Sequence, residues 1–138
     1  MKVTWQKNMQ FCGHTDSGHE VVMDAAPEVG GENQGPRPME MVLLGLGGCT
    51  SIDVMMMLQK SKQAVTDCEV ELISERADTI PKVFTKIHVR FHVYGEDLNE
   101  KKVARAVNLS AEKYCSVSKM LEKSVELSHD YRVHPPKR

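Results

Sequence analysis

Residues 2–12 alternate. Val3, Trp5, Met9 and Phe11 fall on one side, and Lys2, Thr4, Gln6, Asn8 and Gln10 on the other. That is the pattern of a strand with one buried face. Gly13-His14-Thr15-Asp16-Ser17-Gly18 is a turn cluster, and a second short strand is predicted around Glu20–Ala25, completing an N-terminal hairpin. Residues 26–37 collect Pro27, Gly30, Gly31, Asn33, Gly35 and Pro36, the composition of a loop. It is long for a connection in a compact domain.

The most apolar run follows, from Pro38 to Leu58. Its length suits a helix over 39–58 better than a strand, and Pro38 is well placed as a first helical residue. Apolar side chains fall on nearly every side, so this helix needs cover all round. Gly45, Gly47 and Gly48 interrupt it just before Cys49. Each glycine weakens a helix interior by roughly 0.5–1 kcal/mol relative to alanine. That cost suggests a close approach of another group beside Cys49.

Beyond a Lys60-Ser61-Lys62 exit, Cys68, Val70 and Leu72 alternate with Glu69 and Glu71 in a strand predicted over 67–77. Asp78-Thr79-Ile80-Pro81 reads as a turn. Over 83–94, Ile87, Val89, Phe91 and Val93 alternate with Lys86, His88, Arg90, His92 and Tyr94, the cleanest strand signal in the chain. A helix over 98–113 carries the stripe Val103, Ala106, Val107 and Leu109. The pattern breaks at Tyr114-Cys115-Ser116-Val117-Ser118, where Ser116 or Ser118 could cap a short helix over 119–123. A last strand spans 125–133, and the tail 134–138 is expected to fray. The order ββ-α-ββ-αα-β, with strands in hairpins, indicates an α+β fold with antiparallel sheets packed around the central helix. The single apolar helix lacks covering faces within such a chain, which points to an intimate homodimer with that helix near its centre.

Composition narrows the function. At 138 residues a single domain spanning 1–138 is the default. A formal net charge of −1 and the absence of any Lys/Arg block argue against nucleic acid or an anionic membrane surface as partner. The N-terminus lacks the apolar core of a secretory signal. Glu40 and Asp53 interrupt the central run, which argues against a membrane span. A cytoplasmic protein is therefore expected, in which four cysteines do not form a disulfide framework.

Candidate chemistry is sparse outside the cysteines. His88 and His92 lie in a strand, with Cα atoms about 13 Å apart at ~3.3 Å per residue, too far to share an ion. With no C-x-x-C or H-E-x-x-H, neither a metal nor another cofactor is expected. Gly45-Leu46-Gly47-Gly48 lacks the third glycine and the strand context of a dinucleotide fingerprint. Cys12 and Cys68 sit on strands and look structural. Cys49 lies in the glycine-broken helix. Cys115 lies near a helix start, where a thiolate is favoured. A buried thiol paired with a poised one suggests dithiol chemistry.

Two stretches carry a family resemblance. Pro38-Met39-Glu40-Met41-Val42-Leu43-Leu44-Gly45-Leu46-Gly47-Gly48-Cys49-Thr50 resembles the first cysteine motif of the OsmC/Ohr family, and Ala111-Glu112-Lys113-Tyr114-Cys115-Ser116-Val117-Ser118-Lys119 resembles the second. With Gly30-Gly31-Glu32-Asn33 and Gly35-Pro36 upstream, the pattern looks like the YhfA-type branch. The resemblance covers nearly the whole chain. It implies an intertwined homodimer and a thiol-dependent peroxidase acting on small organic hydroperoxides. Cys49 would be the peroxidatic and Cys115 the resolving residue, recycled by a lipoyl-type dithiol. Met55-Met56-Met57 would suit an alkyl or fatty-acyl substrate. Two positions depart from the family pattern. Met39 stands where peroxidatic members have a glutamate, and the N-terminal turn His14-Thr15-Asp16-Ser17 lacks their arginine. Arg37 and Arg76 are candidate replacements. The alternative is a non-enzymatic dimer binding an apolar small molecule.

Overall fold

The computed structural model describes residues 1–137. Two compact units divide the chain, Met1–Leu44 and the remainder from Gly45 onward.

In the first unit, β1 (Lys2–Lys7), β2 (Gln10–His14) and β3 (Glu20–Met23) form a three-stranded antiparallel meander. The single strand expected over 2–12 is thus a hairpin in its own right. Asn8 takes a φ of 47°, a left-handed conformation that asparagine tolerates better than most residues. The Trp5 indole N–H donates to the Asn8 carbonyl at 2.7 Å, and Trp5 then faces Phe11 across the pair. The face expected to be buried is open within this unit: Val3 is 64 % and Trp5 62 % exposed.

The loop after β3 is organised by one buried carboxylate. Asp24 accepts the backbone N–H groups of Ala25, Glu32 and Gln34 at 2.8, 3.1 and 3.1 Å. These bonds fold the loop back on the end of β3. A Cβ on Gly31 would sit 1.7 Å from the Ala25 carbonyl oxygen, so only glycine fits there.

Helix α1 runs Pro38–Lys60, slightly longer than expected. Its start is capped by a bond in which Glu40 accepts the Arg37 N–H at 2.8 Å, the N3-to-N-cap half of a capping box. The C-terminal part of α1 buries one stripe, Leu46, Gly47, Thr50, Val54 and Leu58. Gly47 has a packing reason: a Cβ there would lie 3.0 Å from Leu72 Cδ1. Gly45 and Gly48 face nothing within 4 Å.

In the second unit, β4 (Val65–Arg76) pairs antiparallel with β5 (Phe84–Gly95). The expected inward residues of β5 are buried, with Ile87, Phe91 and Val93 fully so. Helices α2 (Glu100–Leu109) and α3 (Ser116–Leu121) follow, joined by a π-helical turn over Ser110–Tyr114. Strand β6 (Glu126–His134) then pairs with β5 in parallel. This corrects the expectation of purely antiparallel sheets: α2 and α3 form the crossover that a parallel pair requires. The fold class remains α+β, with two three-stranded sheets.

The tail makes side-chain contacts with the sheet. Lys137 pairs with Asp67 at 2.7 Å and with Glu69, and lies over the Tyr94 ring. The last residue of the expected frayed tail, Arg138, lies outside the described residues.

Candidate functional site at the meeting of two thiols

Helix α1 and the α2–α3 junction hold each other through hydroxyl groups. Thr50 and Ser110, both buried, place their oxygens 2.7 Å apart. Ser110 also bonds the Thr50 carbonyl at 3.2 Å and donates to Asp53 Oδ2 at 3.1 Å. Ser110 opens the π-helical turn, a local irregularity often found at functional sites. The turn ends the α2 pattern early and lets the chain reach Cys115 in an extended conformation.

Cys115 itself caps α3. Its sulfur accepts the Ser118 N–H at 3.4 Å. Ser116 and Ser118, the caps expected from the sequence, sit inside the helix instead. The helix starts earlier than expected because sulfur takes the capping role.

This arrangement brings Cys49 and Cys115 together. The sulfurs of both, with a carboxylate oxygen of Asp53, lie within 4.8 Å of one another. Asp53 is four residues after Cys49, so both project from one face of α1. Its spacing from Cys49 could have singled it out, but only the structure shows that Cys115 joins them. Ser116 adds a hydroxyl 3.7 Å from the Cys49 sulfur.

The two thiols are not equivalent, and the order differs from what chain position suggests. Cys115, expected to be the poised one, is fully buried. Burial pushes its thiol pKa up, and proximity to Cys49 adds to that against the opposing Ser118 hydrogen bonds. Cys49, expected to be buried, is half-exposed. Burial is the largest single influence on it and opposes ionisation. Hydrogen bonds from the Val117 backbone, the Cys115 thiol, and the hydroxyl and backbone of Ser116 together outweigh burial, so its pKa lies below the ordinary thiol value. The start of α3 therefore favours both thiolates, and this outweighs burial at Cys49, which faces it, but not at its own cap residue Cys115.

The charged groups considered from the sequence have other partners. Arg37 donates to Asn33 and to the Gly35 carbonyl at 2.9 and 3.1 Å. Arg76 donates to the Lys82 carbonyl at 2.8 Å and lies over the Phe84 ring. Glu40 is occupied as a helix cap. The groups that lower the Cys49 pKa are hydrogen-bond donors.

The remaining candidates do not join this site. Cys12 is buried in β2. The Cys68 thiol pKa is raised by burial and by the charges of Asp67 and Glu69. His88 bonds Ser128 and Asp130, while His92 bonds His134 and Glu71.

Beside Asp53 opens a cleft of about 750 Å³. Met56, Met57, Ala106 and Leu109 supply apolar surface, and Lys60, Lys102, Arg105 and Tyr114 supply polar groups. Its mixed lining suits an amphipathic small molecule.

A family model described as "OsmC-like protein" matches residues 31–130. Protein YhfA of Escherichia coli K12 is 50% identical over 132 residues, covering 96% of each chain. A solved structure of a hypothetical protein from Aquifex aeolicus superposes with a TM-score of 0.85 at 31% identity, covering 99% of this chain and 96% of that one. The organic hydroperoxide resistance protein OhrB of Bacillus subtilis superposes with a TM-score of 0.62 at 21% identity, covering 95% and 96%, a likeness of fold.

Proposed function

The chain belongs to the OsmC-like family, in its YhfA-like branch, and from that premise we propose that it is a thiol-dependent peroxidase reducing organic hydroperoxides through Cys49 and Cys115. The observation that carries the reading is the asymmetry of the thiol pair. Cys49 is accessible and acidified, and Cys115 is buried, less acidic and within reach. The name of the fold relative OhrB points the same way.

The Cys49 thiolate attacks the distal peroxide oxygen. The O–O bond breaks, an alcohol leaves after gaining a proton, and Cys49 becomes a sulfenic acid. The Cys115 sulfur then attacks the Cys49 sulfur, water leaves, and a disulfide forms. A dithiol reductant of the lipoyl type restores both thiols by exchange. Met56, Met57 and Leu109 in the adjoining cleft receive an alkyl chain.

The working unit is a homodimer. Around Cys49, Ile52 and Met56 are 62 % and 51 % exposed, and Gly45 and Gly48 face open space. A second copy would cover that stripe and give those glycines their close approach. By length and composition α1 is also apolar enough to cross a membrane. Its Asp53 carboxylate, bonded to Ser110 beside the thiols, fits a water-facing site, and we place the protein in the cytoplasm.

A second reading rests on Asp53. A carboxylate beside a thiolate disfavours its charge, which suits a non-enzymatic dimer that binds an apolar small molecule in the same cleft. Stopped-flow measurement of thiol loss with cumene hydroperoxide separates the two. The peroxidase reading expects rapid loss, a product lighter by two hydrogen atoms with a Cys49–Cys115 linkage, and no reaction in Cys49→Ser. Because the Cys49 pKa is lowered, the rate should rise with pH and level off below the ordinary thiol pKa. Loss no faster than for free cysteine would assign the chain to the binding reading.

A further inference from the structure

The geometry points to a reversible zinc site formed by Cys49, Asp53 and Cys115 in the reduced protein. Two thiol sulfurs and a carboxylate oxygen converge within 4.8 Å. Tetrahedral zinc holds sulfur at ~2.3 Å and carboxylate oxygen at ~2.0–2.2 Å, so its ligand atoms lie about 3.5–3.8 Å apart. A closing movement of about 1 Å at most brings the three atoms to that spacing. Two sulfurs and one oxygen suit zinc or cadmium and not magnesium or calcium, which take oxygen ligands.

The surroundings orient this donor set. Ser110 donates to Asp53 Oδ2 at 3.1 Å, which orients the carboxylate toward the thiol pair. The Ser118 N–H at 3.4 Å from the Cys115 sulfur fixes that ligand, and the Ser116 hydroxyl stands 3.7 Å from the Cys49 sulfur. Such outer partners hold ligands in place. With both thiols ionised the three ligands carry three negative charges, of which a dication offsets two. Three protein ligands leave a fourth position for water on the half-exposed Cys49 side, the open pattern and not the closed four-ligand pattern of structural zinc.

The exchange balances. Binding replaces two thiol protons, which pass to solvent, with two Zn–S bonds. Affinity should therefore rise with pH. When a two-electron oxidant such as the diazene diamide accepts the electron pair and two protons from solvent, both Zn–S bonds break and one S–S bond forms. Zinc then leaves as Zn²⁺. Bound zinc thus masks the dithiol, and oxidation expels the metal. Binding requires only the donor set and holds whether or not the pair reduces hydroperoxides.

The test is a titration of the fully reduced chain with Zn²⁺ against a chromogenic chelator, repeated with Cd²⁺ to record thiolate–metal charge-transfer absorption. One equivalent per chain is expected. Affinity should fall at least about tenfold in Asp53→Asn and more in Cys49→Ser or Cys115→Ser, with Cys12→Ser and Cys68→Ser unchanged. Circular dichroism checks that each variant is folded. For the unsubstituted protein, diamide should release one zinc per disulfide formed. Binding of undiminished affinity in Cys49→Ser or in folded Asp53→Asn, binding that follows Cys12 or Cys68, or zinc that diamide does not release would overturn the assignment.

Discussion

The two sheets receive the same signal and treat it differently. Residues 2–12 and 83–94 both alternate apolar and polar side chains. In β5 the apolar set is sealed, with Ile87, Phe91 and Val93 fully buried. In β1 and β2 the equivalent set, Val3, Trp5 and Phe11, stays open to solvent. Alternation therefore encodes which side chains share a face. What covers that face depends on elements elsewhere in the chain or on a second copy of it.

The sharpest way to break the contrast is Phe91→Ala. Removing a fully buried phenylalanine should cost about 3–5 kcal/mol of unfolding free energy, read as a lower urea midpoint. Trp5→Ala made in parallel should cost much less if the β1–β3 face is bare in solution. If a second copy covers it, its cost should grow with protein concentration, since assembly then contributes to stability.

A smaller effect tests what does the covering. Ile52→Asp places a charge on the open stripe of α1. For a dimer closed over that stripe, the dissociation constant should rise by roughly 30-fold or more, the scale of a central interface residue. Sedimentation velocity measures it, and a monomer at micromolar concentration for the unsubstituted chain would defeat the dimer. An unchanged constant would move the interface elsewhere.

The smallest effect lies on the polar face of the sealed sheet. Burial opposes ionisation of Asp130, but hydrogen bonds and charge from Arg90 and His88 outweigh it and hold its pKa at about 2. That is below the usual carboxylate value, so the unfolded chain binds the proton more readily. Asp130 therefore stabilises the fold above pH ~4, and that contribution fades as the pH falls toward 2. Half-exposure limits it to about 1 kcal/mol or less. Asp130→Asn should remove this part of the acid sensitivity, seen by comparing thermal melts at pH 6 and pH 3.

The sequence made the long elements legible because their periods are unambiguous. The apolar run of α1, the stripe Val103–Ala106–Val107 and the alternation of β5 all fold as their spacing predicts. It misjudged places where one local interaction outweighs the period. Asn8, with its left-handed backbone, turns one expected strand into two. The parallel pairing of β5 and β6 depends on a crossover whose path no local pattern encodes. Both cysteines were legible as a pair, but their roles could not be read from burial guesses. The environment of Cys49 comes from Ser116 and Val117, far along the chain. Asp53 escaped notice because a carboxylate one helical turn from a cysteine becomes a ligand candidate only when Cys115 arrives.

Cys115 is also the N-cap of α3, and that gives oxidation a mechanical side. The sulfur that accepts the Ser118 amide in the dithiol state becomes a far poorer acceptor once it is bonded to another sulfur. The first turn of α3 then loses a tether at the moment the pair is oxidised. The same amides that acidify Cys49 belong to that turn, so a disulfide would loosen the structure that lowers the Cys49 pKa. The site would be taut as a dithiol and slack as a disulfide, a difference in backbone freedom set by one capping sulfur.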